Sequence, residues 1–529
     1  HREGLCYPND ALSSATVMEI VTADEMRRID RYAIRTLKIP SRLLMECAGL
    51  RVAESVERRL GVLPPTDVIV LCGKGNNGGD GLIAARHLAA GGWSVHALLA
   101  AAPAALTGDA AAALREARRA EVPITVAATP AAWRRFKGRL GPDVLLVDAL
   151  LGTGLSGGAR GLAATIIEDV VASGASVIAV DLPSGLSGDT AQVPGPVMSA
   201  RASVALCRPK IAHFLPPACA HAGEVEIADI GIPPAAVASV HPRTWAIDPA
   251  DLRGFLPPRP RDAHKGAFGH VLVVAGSEGM AGAAALASRA TLRAGAGLAT
   301  VMTPAAVRSE VAAFTPEVMT AAIAGDTPAR AARGVLGAAR GKSCVAIGPG
   351  LGREPRTGEM VRRVLAACRT PLVLDADGLN AFAGRLAELA RPRRTLVLTP
   401  HPGEAARLLD TSLPDLLRDR LAAARTIAGK ARAIVVLKGM ASIVASPDGW
   451  AFVNRTGNPG MATGGSGDVL TGILAGLLAR GLDPLKTVLF AVHLHGLAGD
   501  RAADALGEES LMASDILAHL PGAFRELRA

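Results

Sequence analysis

Short β-branched runs recur along almost the whole of this chain, each separated from the next by enough residues for a helix. That alternation restricts the fold more than any other feature. In the first half the runs are DVIVLC (67–72), WSVHALLA (93–100), DVLLVDAL (143–150) and ASVIAVDLP (175–183). The second half continues in the same style with HVLVVAG (270–276), SCVAIG (343–348), PLVLDAD (371–377), TLVLTP (395–400) and AIVVLKG (433–439). Continuous apolar runs alternating with helical spacers predict parallel sheets covered by helices on both faces, so both halves are expected to be α/β. Between them, residues 231–262 carry seven prolines and no sustained apolar period, which marks a seam. No convincing sequence repeat relates the halves, so a tandem duplication is not expected.

At 529 residues, two or three domains are the expectation from length. Half the residues are apolar but only 3% are aromatic, so cores must be built from closely packed Ala, Val, Leu and Ile. The formal charge of +9 comes from 48 Arg and only 9 Lys, scattered rather than run together. Without a basic tract or stacking aromatics, nucleic acid is not an expected partner, and the charge helps at most to attract anionic substrates. Seven cysteines, at 6, 47, 72, 207, 219, 344 and 368, contain no CxxC pair. They argue against a disulfide framework or structural zinc and fit a reducing, cytoplasmic location. The longest stretch without Asp, Glu, Lys or Arg, about 87–108, holds Gly91, Gly92 and Pro103 and reads as a strand and turn, not a membrane span. Residues 1–17 read as an upstream extension, with Met18 opening the first regular helix pattern.

Ligands of open parallel sheets bind where strands end, so chemistry is sought just after each run. GKGNNGGDG (73–81) follows the first, Asp148 and GTGLSGG (152–158) the third, and DLPSGLSGD (181–189) the fourth. Any one of these could be a plain turn, but Asn77, Asp148 and Ser184 together offer oxygens suited to one hard cation. In the second half, a Gly-rich turn around Gly276, Gly279 and Gly282 leaves Ala281 small enough for a ring to lie against. GPGLG (348–352), TPHPGE (399–404, with His401 and Glu404) and KGMAS (438–442) follow later runs. Lys438 reads equally as a phosphate contact or a solvated turn lysine, and His493 and His495 read as packing residues. No GxxxxGK[ST] motif is present, which excludes a P-loop site.

The strongest signal is NPGMATGGSGDV (458–469), set directly before the apolar helical run LTGILAGLLA. Gly464, Gly465 and Gly467 let backbone amides approach an anion, and the helix start adds its positive dipole end, so a phosphate is expected there. Asp468 would repel that phosphate as a ligand. It suits instead the task of taking a proton from a hydroxyl that attacks phosphorus. A lone glycine turn capped by aspartate would look the same, but this one accompanies the other strand-end clusters.

Taken in order, GNNGGDG, DALLGTGLSG, DLPSGLSGD, HKGAFGHVLVVAGS, GPGLG, TPHPGE, KGMAS and NPGMATGGSGD resemble the bifunctional NAD(P)H-hydrate repair enzymes over about residues 18–522. The resemblance implies a Rossmann-like three-layer αβα epimerase domain (18–232), a linker (233–261) and a ribokinase-like αβα, ADP-dependent dehydratase domain (262–525). It implies that Asn76, Asn77, Gly78, Gly79, Asp80, Gly152, Thr153, Gly154, Leu155, Ser156, Gly157, Gly158 and Asp181 line the epimerase's hydrate site. Asn77, Asp148 and Ser184 would hold K+. In the second domain Ala281, Gly350, His401 and Asp468 would contact the hydrate. Lys438, Gly439, Met440, Ala441, Ser442 and Gly467 would bind the adenine nucleotide, supplied as ADP with Mg2+. Ser442 stands where the family often has threonine, and either hydroxyl can donate to phosphate. Asp181, or Asp189 on the same edge, is the expected epimerase proton shuttle. The partners implied are the NADH and NADPH hydrates and ADP, without nucleic acid or membrane, in a homo-oligomer. The alternative is a ribokinase-like kinase acting on a hydroxymethyl group of a vitamin precursor, since a GGSGD loop serves that reaction equally well.

Overall fold

The computed structural model describes residues 18–61, 67–155, 157–390 and 394–528. Ser156, Cys6 and the expected extension 1–17 lie outside these residues. Glu19–Arg243 forms one compact unit, and Thr244–Ala529 makes up the body of a second. The chain passes from one to the other inside the proline-rich stretch. That stretch is more than a connector, because its Thr244–Ala246 forms a strand of the second unit's sheet.

The first unit holds strands β1 (Val68–Cys72), β2 (Val95–Leu99), β3 (Ile124–Val126), β4 (Leu145–Ala149), β5 (Ser176–Val180), β6 (Ala202–Leu206) and β7 (Glu224–Ala228). All neighbours are parallel in the order β3-β2-β1-β4-β5-β6-β7. This is the doubly wound order, and its direction reverses between β1 and β4. The helices are α1 (Ala23–Arg35), α2 (Ser41–Leu60), α3 (Asn76–Ala90), α4 (Gly108–Arg119), α5 (Pro130–Phe136) and α6 (Gly161–Ser173). Alternation along β1 builds the three layers. Val68, Val70 and Cys72 pack into a core with α2, α3 and α4, while Ile69 and Leu71 face Trp133, Phe136, Ile166 and Val170 of α5 and α6. Contrary to expectation, Met18 opens a short strand (Met18–Ile20), and the first helix starts at Ala23, where Thr22 and Glu25 close a capping box.

The second unit adds β8 (Thr244–Ala246), β9 (His270–Val274), β10 (Leu298–Thr303), β11 (Met319–Ala322), β12 (Cys344–Ile347), β13 (Leu372–Leu374), β14 (Leu396–Leu398), β15 (Ile434–Leu437), β16 (Ile443–Ala445) and β17 (Ala451–Val453). Their order is β8-β17-β16-β15-β14-β13-β12-β9-β10-β11. The sheet is parallel except that β16 runs antiparallel to both β15 and β17. This differs from the sequence expectation, in which KGMAS followed the last strand. The run ASIVAS is too short to stand out, and β16 and β17 pair locally across a turn at Gly449. Helices α7 (Ala281–Arg293), α8 (Pro328–Ala339), α9 (Pro355–Ala367), α10 (Pro402–Leu409), α11 (Arg420–Ala431), α12 (Ser466–Leu478), α13 (Pro484–Leu506) and α14 (Ala513–Glu526) cover the sheet. Val271 and Val273 share a core with α7, α12, α13 and α14. Every residue of α12 from Val469 to Leu478 is buried, as the apolar run required. Strand order reverses here between β9 and β12, which sets a crevice over the loops 275–281 and 348–352. No helix among the described residues is long and apolar enough to cross a membrane.

Candidate functional site

In the first unit the reversal point is built from the loops after β1, β4 and β5. Gly78 is forced by space, since a Cβ there would lie 2.0 Å from the Gly73 carbonyl oxygen. The tight turn lets α3 begin at Asn76 directly over the strand ends. Asp148 at the end of β4 is fully buried. Its carboxylate accepts from the Ser184 hydroxyl (2.6 Å), the Ser184 amide (2.7 Å) and the Leu150 amide (3.2 Å). Burial pushes its pKa up to about 6 despite those donors. The Asn77 side-chain amide donates to the Leu151 carbonyl (3.0 Å), and the Ser184 hydroxyl lies 3.2 Å from that same oxygen. The structure therefore brings Asn77 and Ser184 together at the Leu151 carbonyl, with Asp148 joined to them through Ser184, a backbone oxygen that the side-chain pattern could not reveal. One carboxylate among neutral oxygens suits a weakly charged hard cation. Gly152 packs against Asn77, while Thr153, Gly154, Leu155, Gly157 and Gly158 continue the β4 loop. Asn76 is exposed at the mouth and Gly79 is buried against Met45.

Asp181 is nearly buried at the end of β5, with φ at +62°. Its carboxylate takes the Leu206 amide (3.0 Å) and an ion pair from Lys210, whose side chain is fully buried. Asp80 and Asp30 are electrostatic neighbours of Asp181. Burial, then the charges of Asp181 and Asp30, lift Asp80 well above the carboxylate range. Burial also lifts Asp30 to about 6, against the pull of Lys210. Lys210 and Asp30 were not singled out from sequence, because the charged groups they neighbour lie far away along the chain. Asp189, the alternative shuttle, instead accepts the Ala23 amide (2.8 Å) at the start of α1, a structural task.

In the second unit α12 starts in the crevice. Gly465 has φ +94°, and a Cβ there would meet Leu286 at 2.6 Å, so only glycine allows the loop to turn into the helix. The first turn carries Ser466, Gly467 and Asp468, where helix amides lack partners within the helix. Below them sits Asp375 at the end of β13, 1% exposed, accepting from Lys438 Nζ (2.7 Å) and the Thr471 hydroxyl (2.6 Å). Lys438 also lies 4.0 Å from Glu404. Burial works against its charge, and Asp375, Glu404 and Asp468 outweigh burial and raise its pKa. Lys438 is thus paired beneath the glycine loop and is not a solvated turn lysine: a Cβ on Gly467 would be 3.3 Å from Nζ. Burial, then the charge of Asp375, pushes Asp468 up to about 7, with Lys438 opposing. Asp375 was missed although it follows a strand run, the very position where ligands are sought.

The remaining expected site residues fall around the same crevice. Gly350 takes φ +60°, and its carbonyl accepts from Ser277 (2.8 Å), which holds the 348–352 loop against the turn before Ala281. His401 is half-exposed, accepts the Gly403 amide (3.0 Å), and has its pKa lowered by partial burial and by Lys438. Glu404 receives the His401 amide (2.8 Å) and closes a capping box at α10. The KGMAS loop is held from α11, where buried Arg420 donates to the Met440 carbonyl (2.8 Å). Gly439 and Met440 are exposed on that loop, Ala441 has φ +51°, and the Ser442 hydroxyl donates to the Gly439 carbonyl (3.0 Å). Gly464 is exposed before α12. His495 is a correction: beyond packing, it hydrogen-bonds the Ser466 carbonyl at 3.0 Å, and burial lowers its pKa to about 4, so a neutral ring steadies the loop. Asp500 does the same upstream, accepting from the Gly457 amide (2.9 Å) and the Asn458 side chain (3.0 Å).

Residues 41–212 match the family described as YjeF-related protein N-terminus, and residues 271–521 match NAD(P)H-hydrate dehydratase. The chain is 43% identical over 516 residues to a bifunctional NAD(P)H-hydrate repair enzyme of Moorella thermoacetica, covering 96% of this chain and 97% of that one. To its counterpart in Thermofilum pendens it is 38% identical over 515 residues, 97% of each chain. A solved structure, an ADP/ATP-dependent NAD(P)H-hydrate dehydratase of Bacillus subtilis co-crystallised with ATP/Mg2+, is 32% identical with a TM-score of 0.48, over 54% of this chain and 98% of that one.

Proposed function

Because this chain belongs to the family of bifunctional NAD(P)H-hydrate repair enzymes, we propose that it restores nicotinamide cofactors spoiled by addition of water to the ring. The unit Glu19–Arg243 interconverts the R and S hydrates, and the unit from Thr244 dehydrates the S form at the expense of ADP, giving AMP and phosphate. The vitamin-precursor kinase reading gives way, since the relatives carry both halves over nearly the whole chain.

The observation that carries the dehydratase reading is Asp468, raised to about 7 in the first turn of α12 beside the Gly464–Gly467 amides and Lys438. A carboxylate with that pKa is a competent base near neutral pH. It takes the proton of the C6 hydroxyl, and that oxygen attacks the terminal phosphorus of ADP as AMP departs. Phosphate then leaves from C6, a far better leaving group than hydroxide, and loss of the C5 proton returns the ring double bond. The glycine amides and Lys438 stabilise charge on the transferring group. Gly439–Ser442 holds the nucleotide, and Ala281, Gly350 and His401 border the ring. Mg2+ bound with the nucleotide would supply positive charge against its phosphates.

In the first unit Asn77, Asp148 and Ser184, with the Leu151 carbonyl, fit K+ through their set of neutral oxygens around one carboxylate. The ion would supply a fixed positive charge that braces the β4 and β5 loops. Asn76–Asp80, Gly152–Gly158 and Asp181 line the hydrate pocket. The test is direct: purified protein with S-hydrate, ADP and Mg2+ must regain the near-ultraviolet absorbance of dihydronicotinamide, and with R-hydrate it must do so through the S form. Absence of that recovery overturns the reading.

A further inference from the structure

The hydrate pocket of the first unit holds a charge set that no turn or fold requirement explains. Lys210 is completely buried. Its ammonium ion-pairs with Asp181 and donates to the Leu206 carbonyl (3.2 Å), while Leu206 returns its amide to the same Asp181 carboxylate (3.0 Å). The Lys210 backbone amide donates to Nδ1 of His213 (2.9 Å). The opposite ring nitrogen of His213 therefore carries the hydrogen and donates to the Asp181 carbonyl (2.7 Å). Lys210 thus grips both ends of Asp181, side chain directly and backbone through His213, in a residue already held at φ +62°. Such grip on a strand-end carboxylate costs desolvation of a lysine, which structural packing alone would do better with an apolar chain.

Asp80, 7% exposed and the fifth residue of α3, is an electrostatic neighbour of Asp181. Among the described residues nothing donates a hydrogen bond to its carboxyl. Charge counting then decides the protonation. The buried ammonium of Lys210 is taken up by Asp181, so Asp80, buried beside that acidic pair and without a hydrogen-bond donor, keeps the proton. The upward displacement of Asp80 by burial and by its two acidic neighbours agrees.

Resting on the epimerase reading above, we propose that Asp80 is the proton donor and Asp181 the proton acceptor in epimerisation at C6, and that Lys210 is the positioning residue that fixes Asp181. The hydrated ring is a hemiaminal at C6. Asp181 removes the C6 hydroxyl proton, the C6–O pair becomes a carbonyl as the C6–N1 bond breaks, and the bond pair goes to N1, which takes the proton of Asp80. Rotation about C5–C6 presents the other carbonyl face. Reversal of the same steps closes the opposite epimer and returns both protons, with no external reactant.

The other charged and titratable groups facing this set are Asp30 from α1, Arg42 from α2, and Cys207, Arg208 and His213 beside Lys210. His213 is held neutral with its pKa near 4 by burial, and burial raises Cys207 to about 11. Neither changes charge near neutrality.

The experiment follows R-to-S exchange by chromatography in the full chain with K+, comparing wild type with Asp80→Asn, Lys210→Met and Lys210→Arg. Dehydration of S-hydrate by the same preparations reports folding. Asp80→Asn and Lys210→Met should each lower the exchange rate by at least ~100-fold, with KM little changed and dehydration intact. Asp80→Asn should also erase the fall of rate at high pH, which reports loss of the donor proton. Lys210→Arg, which keeps the charge, should recover most of the rate. Full exchange with an unaltered pH profile in Asp80→Asn overturns the donor. Equal losses in Lys210→Met and Lys210→Arg, with KM rising in step, reduce Lys210 to packing. Wild type that fails to interconvert the epimers sinks the epimerase reading itself, before any variant is compared.

Discussion

Both units set one lysine among acidic groups at a strand-order reversal, yet they place that lysine differently. In the first unit Lys210 is wholly buried against Asp181, with Asp30 within its field and Asp80 beside the two acids. In the second, Lys438 pairs with Asp375, lies near Glu404 and Asp468, and remains 20% exposed under a helix N-terminus. A sealed ammonium can only orient and balance its neighbours. A lysine open to a loop of free amides can also meet an incoming anion. A lysine among carboxylates therefore suits internal proton exchange in one unit and phosphoryl transfer in the other, and what separates them is access and the presence of an anion cradle.

The contrast breaks most readily at Asp468. Asp468→Asn should lower dehydration by ~100-fold or more while R-to-S exchange continues, since loss of a general base costs that much. Steady-state assays of both reactions on one preparation would check it, and a parallel loss of both activities would mean that the units are not chemically separate. Next in size is Asp375→Ala, which strands Lys438 without its partner. Breaking a buried pair costs roughly 3 to 5 kcal/mol, so denaturant unfolding should show the second unit destabilised and the first unchanged.

The pH dependence sharpens the comparison further. Asp468 must lose its proton to act, and its pKa stands at about 7. The dehydration rate should thus fall about tenfold per pH unit below neutrality and level off above it. Asp468→Asn should flatten that acid limb. The smallest effect concerns the cation. K+ should raise the thermal midpoint of the first unit, by roughly 2 to 4 °C for each kcal/mol of binding, and Ser184→Ala should abolish the rise. A rise of equal size in that variant would remove Ser184 from the cation's ligands.

Much of this was legible because the information is local. β1, β4, β5, β9 and β12 to β15 are buried on both faces, so their runs of Val, Ile and Leu announce strands, and the glycine loops after them announce the crevices. Strands such as β11 (MTAA), β16 (IVA) and β17 (AFV) pass unnoticed because alanine and threonine break up their larger apolar residues. The partners of the charged groups were hidden for another reason. Lys210 meets Asp181, and Lys438 and Thr471 meet Asp375, across 29, 63 and 96 residues. No spacing rule spans such gaps, so Lys438 read equally well as solvated and Asp375 was passed over. The Leu151 carbonyl escaped because backbone groups look alike in any sequence. Asp189 looked equivalent to Asp181, and only the contact with the Ala23 amide separates them.

The central claim is that the hydroxyl of the damaged ring is phosphorylated before it leaves, with Asp468 starting the transfer. It is tested most directly by quenching the reaction of S-hydrate, ADP and Mg2+ during turnover and counting products. The account predicts one AMP and one free phosphate for each dihydronicotinamide regained, with Asp468→Asn forming none of the three at a comparable rate. Recovery of the cofactor without nucleotide breakdown, or a stable phosphorylated product accumulating in its place, would contradict it.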